Sequence, residues 1–289
     1  MDNDKKKLLI FGASGMLGNA IFRFFSNNPE YETTGTARST HTTMFFPEKT
    51  RKRIITGVDV ENIDSLIKIF QATNPDLVIN CIGLVKQLAE SEDPLSAIPI
   101  NSILPHRLAR LAAVSGGRLI HFSTDCVFSG QTGNYKESDT PDARDVYGTS
   151  KYLGEVDYKN AITLRTSIIG HELEGSRSLI GWFLAQTGSV KGFRRAIFSG
   201  LPTVEVARIV QNYVIPHPEL HGLYHLSAEP INKMNLLTLV AQEYNKSVRI
   251  EADDTLVIDR SLDSTRFRLA TGFTPKPWPE LIREMRDFG

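Results

Sequence analysis

The chain has 289 residues, and its 33 lysines and arginines balance 33 aspartates and glutamates. Zero net charge offers no overall attraction to nucleic acid or to an anionic membrane, and no segment approaches the roughly 20 unbroken apolar residues of a membrane span. With 41% hydrophobic residues and two cysteines, Cys81 and Cys126, the chain reads as a reduced, cytoplasmic globular protein with a sizeable core, excluding a disulfide scaffold and a four-cysteine zinc site. The apolar run after the first lysines is too short for a signal peptide.

In chain order, Lys6–Phe11 is an apolar run of the kind a buried parallel strand shows, and Met16–Phe25 has helical spacing of Leu17, Ile21, Phe24 and Phe25. Threonine-rich Glu32–Ala37 predicts a second strand and Arg53–Thr56 a third. A helix is predicted over Ile63–Gln71, a strand over Leu77–Ile82, and a helix over Leu104–Val114 that stops at Gly116-Gly117. Leu119–Phe122 is the fifth strand, Val146–Tyr158 a helix and Ile162–Arg165 the sixth strand. Strands alternating with helices imply right-handed crossovers and a doubly wound parallel α/β sheet of Rossmann type. The predicted division is a nucleotide-binding domain over residues 1–166 and a smaller α/β substrate-binding portion over 167–289, with parts of about 200–226 returning to the Rossmann core.

The first strand runs into Gly12-Ala13-Ser14-Gly15-Met16-Leu17-Gly18. Here Gly12 permits a tight turn, Gly15 a close backbone approach to a pyrophosphate, and Gly18 close packing of helix on strand. The helix start then presents free N–H groups and a partial positive charge to the phosphates, with Ser14, Met16 and Leu17 in the same turn. The second strand ends in Ala37-Arg38-Ser39, with an arginine where a carboxylate would bind a ribose 2′-hydroxyl. A guanidinium suits a 2′-phosphate, which favours NADP(H) and leaves NAD(H) as the alternative. Asp59 and Val60, past the third strand, are candidates to border the adenine. Arg194 and Arg195, with Lys191, form a basic knot suited to a diphosphate or to solvent.

Tyr147 and Lys151 stand four residues apart, hence on one face of a helix. A phenol beside an ammonium is a workable general acid for a carbonyl that takes up hydride. The strand ending His121-Phe122-Ser123-Thr124-Asp125 precedes this pair and places Thr124 at a carboxyl strand end, where ligands sit in such sheets.

These motifs, with Cys126-Val127-Phe128-Ser129-Gly130, Leu164-Arg165-Thr166-Ser167, Gly200-Leu201-Pro202-Thr203 and Gly222-Leu223-Tyr224-His225-Leu226, resemble those of extended short-chain dehydrogenases/reductases, within them the dTDP-4-dehydrorhamnose reductase group, over nearly the whole chain. The resemblance implies a Rossmann fold, a nicotinamide cofactor and reduction of the C4 ketone of a nucleotide-linked 6-deoxy sugar in surface polysaccharide biosynthesis. It makes Thr124, Tyr147 and Lys151 catalytic, sets Cys81, Ile82 and Gly83 beside the cofactor, and sets Asp125 and Cys126 beside the sugar. Cys126 and Ile168 stand where the family usually has aromatic residues, and Lys86 and Gln87 depart from its usual alanine-rich stretch. Lys86 suits an extra polar group, so a UDP-2-acetamido-2,6-dideoxy-4-ketohexose is an alternative substrate. A 4,6-dehydratase is disfavoured because Cys126 replaces its glutamate. A non-catalytic NADP-binding regulatory subunit is a further alternative, disfavoured by the retained Thr124, Tyr147 and Lys151. The expected partner is the nucleotide sugar, with a homodimer as one candidate assembly.

Overall fold

A computed structural model describes residues 5–84 and 89–289. The first strands and helices are β1 (Lys6–Phe11), α1 (Met16–Ser26), β2 (Tyr31–Ala37), α2 (Glu48–Arg51), β3 (Ile54–Thr56), α3 (Ile63–Thr73) and β4 (Leu77–Asn80). They are followed by α4 (Pro94–Ala97), α5 (Leu104–Val114), β5 (Arg118–Thr124), α6 (Val146–Leu153) and β6 (Ala161–Thr166). The remainder comprises β7 (Ile168–Ile169), α7 (Leu179–Ala185), β8 (Ser189–Phe193), β9 (Ala196–Phe198), β10 (Leu201–Pro202), α8 (Thr203–Ile209), β11 (Gly222–His225), β12 (Ile231–Asn232), α9 (Lys233–Glu243), β13 (Arg249–Asp253), β14 (Ile258–Asp259), α10 (Thr265–Thr271) and α11 (Trp278–Phe288).

The main sheet has seven strands in the order β3-β2-β1-β4-β5-β6-β11, with β1–β2, β2–β3, β1–β4 and β4–β5 paired in parallel. This is the α/β, Rossmann-type arrangement, and its order reverses between β1 and β4. Both faces are covered. Leu9, Phe11, Val78 and Leu119 join Leu66, Phe70, Leu104 and Leu108 of α3 and α5 in one core. On the other face α1 approaches so closely that a Cβ at Gly35 would sit 2.9 Å from the Phe22 ring. Strands buried on both sides need no polar alternation, and all seven residues of β5 are buried.

Two predicted elements end earlier than expected, and several others differ by one or two residues. The predicted helix over 146–158 ends at Leu153, because Gly154 caps it and packs where any Cβ would overlap the Asn101 carbonyl. The strand predicted to Ile82 ends at Asn80, whose side chain accepts the Ile82 N–H at 3.1 Å in place of ladder pairing. Before α5, residues Ile98–Ile103 form a π-helical stretch.

The chain divides into two units. The first holds residues 1–123, 144–164 and 218–223, and the second residues 124–143, 165–217 and 224–289. In the second, β8 pairs in parallel with β13, β9 pairs with β12 and β14, and β7 pairs with β10. Its interior holds a buried cation: the Arg165 guanidinium donates to His225 Nε2 at 3.2 Å and lies 5.1 Å over the Phe128 ring. His225 Nδ1–H donates to the Tyr135 carbonyl at 3.0 Å, which fixes a neutral imidazole. Burial and the Arg165 charge lower its pKa to about 4. Tyr135 stacks on Phe128 at 4.1 Å and its hydroxyl accepts the N–H groups of Gly130, Gln131 and Thr132, which fixes the loop following Thr124. A second buried polar cluster ties α8 to α11: Glu205, buried, faces Arg208 and Lys276, and both cations also meet Glu284. Among the described residues no helix is long and apolar enough to cross a membrane.

Candidate active site

The glycine turn closes β1 at the point where the strand order reverses. Gly12 has φ +83°, a left-handed conformation, and a Cβ there would lie 2.8 Å from Ile82 Cγ1. At Gly18 a Cβ would overlap the Gly12 carbonyl, so both residues are required by the protein's own packing. Gly15 differs. It is exposed, has φ −80°, and a Cβ there would meet only the Gly12 oxygen, at 3.5 Å. Nothing in the fold demands a glycine at this position. The eleven-residue helix it begins has neither a side-chain cap nor an acidic residue in its first turn. Its leading N–H groups, in the turn shared with Ser14, Met16 and Leu17, are therefore available to an anion. Arg38 is exposed at the end of β2 and has no ion pair among the described residues. Asp59 is exposed and caps Glu61 N–H at 3.0 Å, whereas Val60 and Ile82 pack against the core.

In the first unit, Asp145 caps α6 by accepting Gly148 N–H at 2.8 Å, so the helix begins just before Tyr147. Tyr147 is half-buried and Lys151, one turn later, is 5% exposed. The Lys151 ammonium donates to the Phe122 carbonyl of β5 at 2.8 Å. Burial lowers its pKa to about 8, against opposing pulls from Glu155 and Cys81. Cys81 is held as a thiol by burial. Gly83 leaves room: a Cβ there would come 3.5 Å from Lys151 Nζ.

A polar network around Lys151 was missed in the sequence. Asn101, fully buried in the π-helical stretch, accepts Leu84 N–H at 3.0 Å and donates to Ser150 Oγ at 3.1 Å. Ser150 in turn donates to the Tyr147 carbonyl at 3.0 Å. Ser123 donates to Glu155 at 2.7 Å. The available signal was Asn101-Ser102 interrupting an otherwise apolar stretch.

In the second unit, Thr124 Oγ1 accepts Cys126 N–H at 3.1 Å and donates to Asp125 Oδ1 at 3.2 Å. Asp125 is buried, and desolvation raises its pKa despite the fields of Arg260 and Lys233. Arg194 pairs with Asp254 and Lys191 with Asp253, so two cations of the basic knot are already neutralised, while Arg195 is exposed. Lys86 and Gln87 lie outside the described residues.

The comparisons agree with this architecture. Residues 6–286 match the model of the RmlD substrate binding domain. The chain belongs to that family. A dTDP-4-dehydrorhamnose reductase of Aggregatibacter actinomycetemcomitans is 25% identical over 313 residues, covering 98% of this chain and 99% of that protein. The methionine adenosyltransferase 2 subunit beta of Danio rerio is 26% identical over 254 residues, covering 83% and 74%. Among solved structures, a Bacillus anthracis dTDP-4-dehydrorhamnose reductase in complex with NADP superposes with a TM-score of 0.79 at 21% identity, covering 99% of each chain. That likeness establishes the shared fold.

Proposed function

We propose that this chain uses NADPH to reduce the C4 ketone of a nucleotide-linked 4-keto-6-deoxyhexose, as its dTDP-4-dehydrorhamnose reductase relative is named for doing. The observation that carries this reading is the buried Lys151 ammonium, anchored on Phe122 one helical turn from Tyr147, in a chain of the RmlD substrate binding domain family. The residues present fit a dinucleotide. Gly15 is a glycine that the fold does not need, at an uncapped helix start, and Arg38, with no ion pair among the described residues, is a cation where a 2′-phosphate would distinguish NADPH from NADH.

When bound, the dihydronicotinamide supplies the hydride. Tyr147 delivers its hydroxyl proton to the carbonyl oxygen, and Lys151 stabilises the resulting phenolate. Thr124 orients the carbonyl. Its one hydroxyl proton points at Asp125, so donation to a substrate requires that contact to be released. The raised pKa of Asp125 favours this, since a protonated Asp125 can donate to Thr124 and free the threonine proton. The portion over 167–289 takes the sugar nucleotide, with Lys191, Arg194 and Arg195 all exposed in its basic knot. The biosynthetic setting is that of a surface polysaccharide sugar.

Loss of NADPH absorbance on mixing with dTDP-4-keto-L-rhamnose, compared with a UDP-2-acetamido-2,6-dideoxy-4-ketohexose, tests the reading. Faster turnover of the dTDP sugar supports it, and faster turnover of the UDP sugar moves the assignment to the acetamido series. Tight NADPH binding with no turnover of either sugar would overturn it in favour of a non-catalytic NADP-binding subunit; one relative of this chain is named as a subunit of methionine adenosyltransferase.

A further inference from the structure

Close to Lys151, Asn80 at the end of β4 and His121 midway along β5 are two fully buried polar side chains that face each other across the ladder. Their hydrogen bonds leave one assignment. The Ile82 backbone N–H can only donate, so the Asn80 atom 3.1 Å from it is the amide oxygen. The Asn80 amide nitrogen then faces His121 Nδ1 at 3.1 Å, and that ring nitrogen must be an unprotonated acceptor. His121 carries its proton on Nε2, which is buried and has no hydrogen-bond partner among the described residues. An imidazolium at this position would set two N–H donors against each other at Nδ1.

We propose that Asn80 and His121 form a tautomer lock: the amide of Asn80 holds His121 permanently neutral, so that Lys151 is the cation at the buried end of β5. His121 sits where a second charge would be felt. Lys151 of α6 and His106 of α5 both act on it, and Glu155 and Cys81 act on Lys151. His106 is occupied elsewhere, between Tyr158 Oη at 2.9 Å and the Leu153 carbonyl at 3.0 Å. Burial and the Lys151 field also disfavour an imidazolium at His121, in the same direction as the lock. Asn80 and His121 are thus positioning residues that act through Lys151, and their kinetic role rests on the reductase reading.

The test has two arms. Nitrogen-15 NMR of histidine-labelled full chain, with His121→Gln used for assignment, reads the tautomer without reference to activity. The expected result is Nδ1 unprotonated, Nε2 protonated, and no titration between pH 5 and pH 8. An Nδ1–H tautomer, or a titration in that range, overturns the lock. Asn80→Asp removes the donor, keeps an oxygen for Ile82 N–H and places a carboxylate against Nδ1. His121 is then expected to gain an Nδ1 proton and to titrate within that range. The same change adds an ionisation between pH 5 and pH 8 to the pH profile of kcat that is absent from the parent. If His121 gains the proton but the two kcat profiles coincide, the lock does not serve Lys151 and the proposal fails. If the chain turns over no sugar nucleotide, the reductase reading fails, while the NMR result still decides the lock.

Discussion

Replacing Lys151 with methionine separates what this residue does for the reaction from what it costs the fold. The ammonium is 5% exposed and its pKa falls from 10.5 to about 8 in the folded chain. At about 1.4 kcal/mol per pH unit, burying the charged form costs about 3 kcal/mol wherever both states are protonated. Methionine removes that cost but leaves the Phe122 carbonyl without its donor, a loss of about 1 kcal/mol. Lys151→Met should therefore be more stable than the parent by about 2 kcal/mol at pH 7. The sign reverses with pH in a defined window. Between pH 8 and 10.5 the unfolded chain holds the lysine proton and the folded chain does not, so the stability of the parent rises with pH through that range. The advantage of the variant should shrink accordingly and vanish near pH 10. Urea unfolding of parent and variant at pH 7, 8.5 and 10 reads this directly. A variant less stable at pH 7, or an advantage that does not change with pH, refutes the reasoning.

Other expectations follow from the glycine turn and the proposed acid. Gly15→Ala should leave stability within about 1 kcal/mol of the parent, since its Cβ has room, yet weaken NADPH binding at least tenfold by fluorescence titration. Gly18→Ala should instead lower the urea midpoint sharply, because its Cβ overlaps the Gly12 carbonyl. Arg38→Ala should weaken NADPH binding by more than about tenfold and leave NADH binding within about twofold, measured by the same titration. Tyr147→Phe should lower kcat by about 10²–10⁴ with little change in cofactor affinity.

Much of the Rossmann half was legible because its strands are buried on both faces. The apolar run Leu8–Phe11 marks the buried body of β1, whose bounds are those expected, Lys6–Phe11, and helical spacing closed by two glycines marks α5 at Leu104–Val114. What was misread depends on packing at a distance. The end of α6 is set by Gly154 meeting a carbonyl more than fifty residues earlier, and the end of β4 by an asparagine turning onto its own chain. After Thr166 the strands are two to five residues long, and β13 shows no clear buried face, so neither period was available to read. Their pairings join distant residues, such as Ile231 with Phe198. That Tyr147 and Lys151 of the candidate site share one helix was legible from their spacing. Asn101, Ser150 and the partnership of Asn80 with His121 were not, because hydrogen-bond partners chosen across a fold leave no local pattern.

Deuterium tracing reaches the central claim most directly. NADPH carrying deuterium at both positions of C4 of the nicotinamide is mixed with the 4-keto-6-deoxy sugar nucleotide, and the product is read by mass spectrometry and proton NMR. The account predicts one deuterium at C4 of the sugar, one NADPH oxidised per product formed, and loss of that transfer in Tyr147→Phe. A product with no deuterium at C4, or label transfer undiminished in Tyr147→Phe, would contradict it.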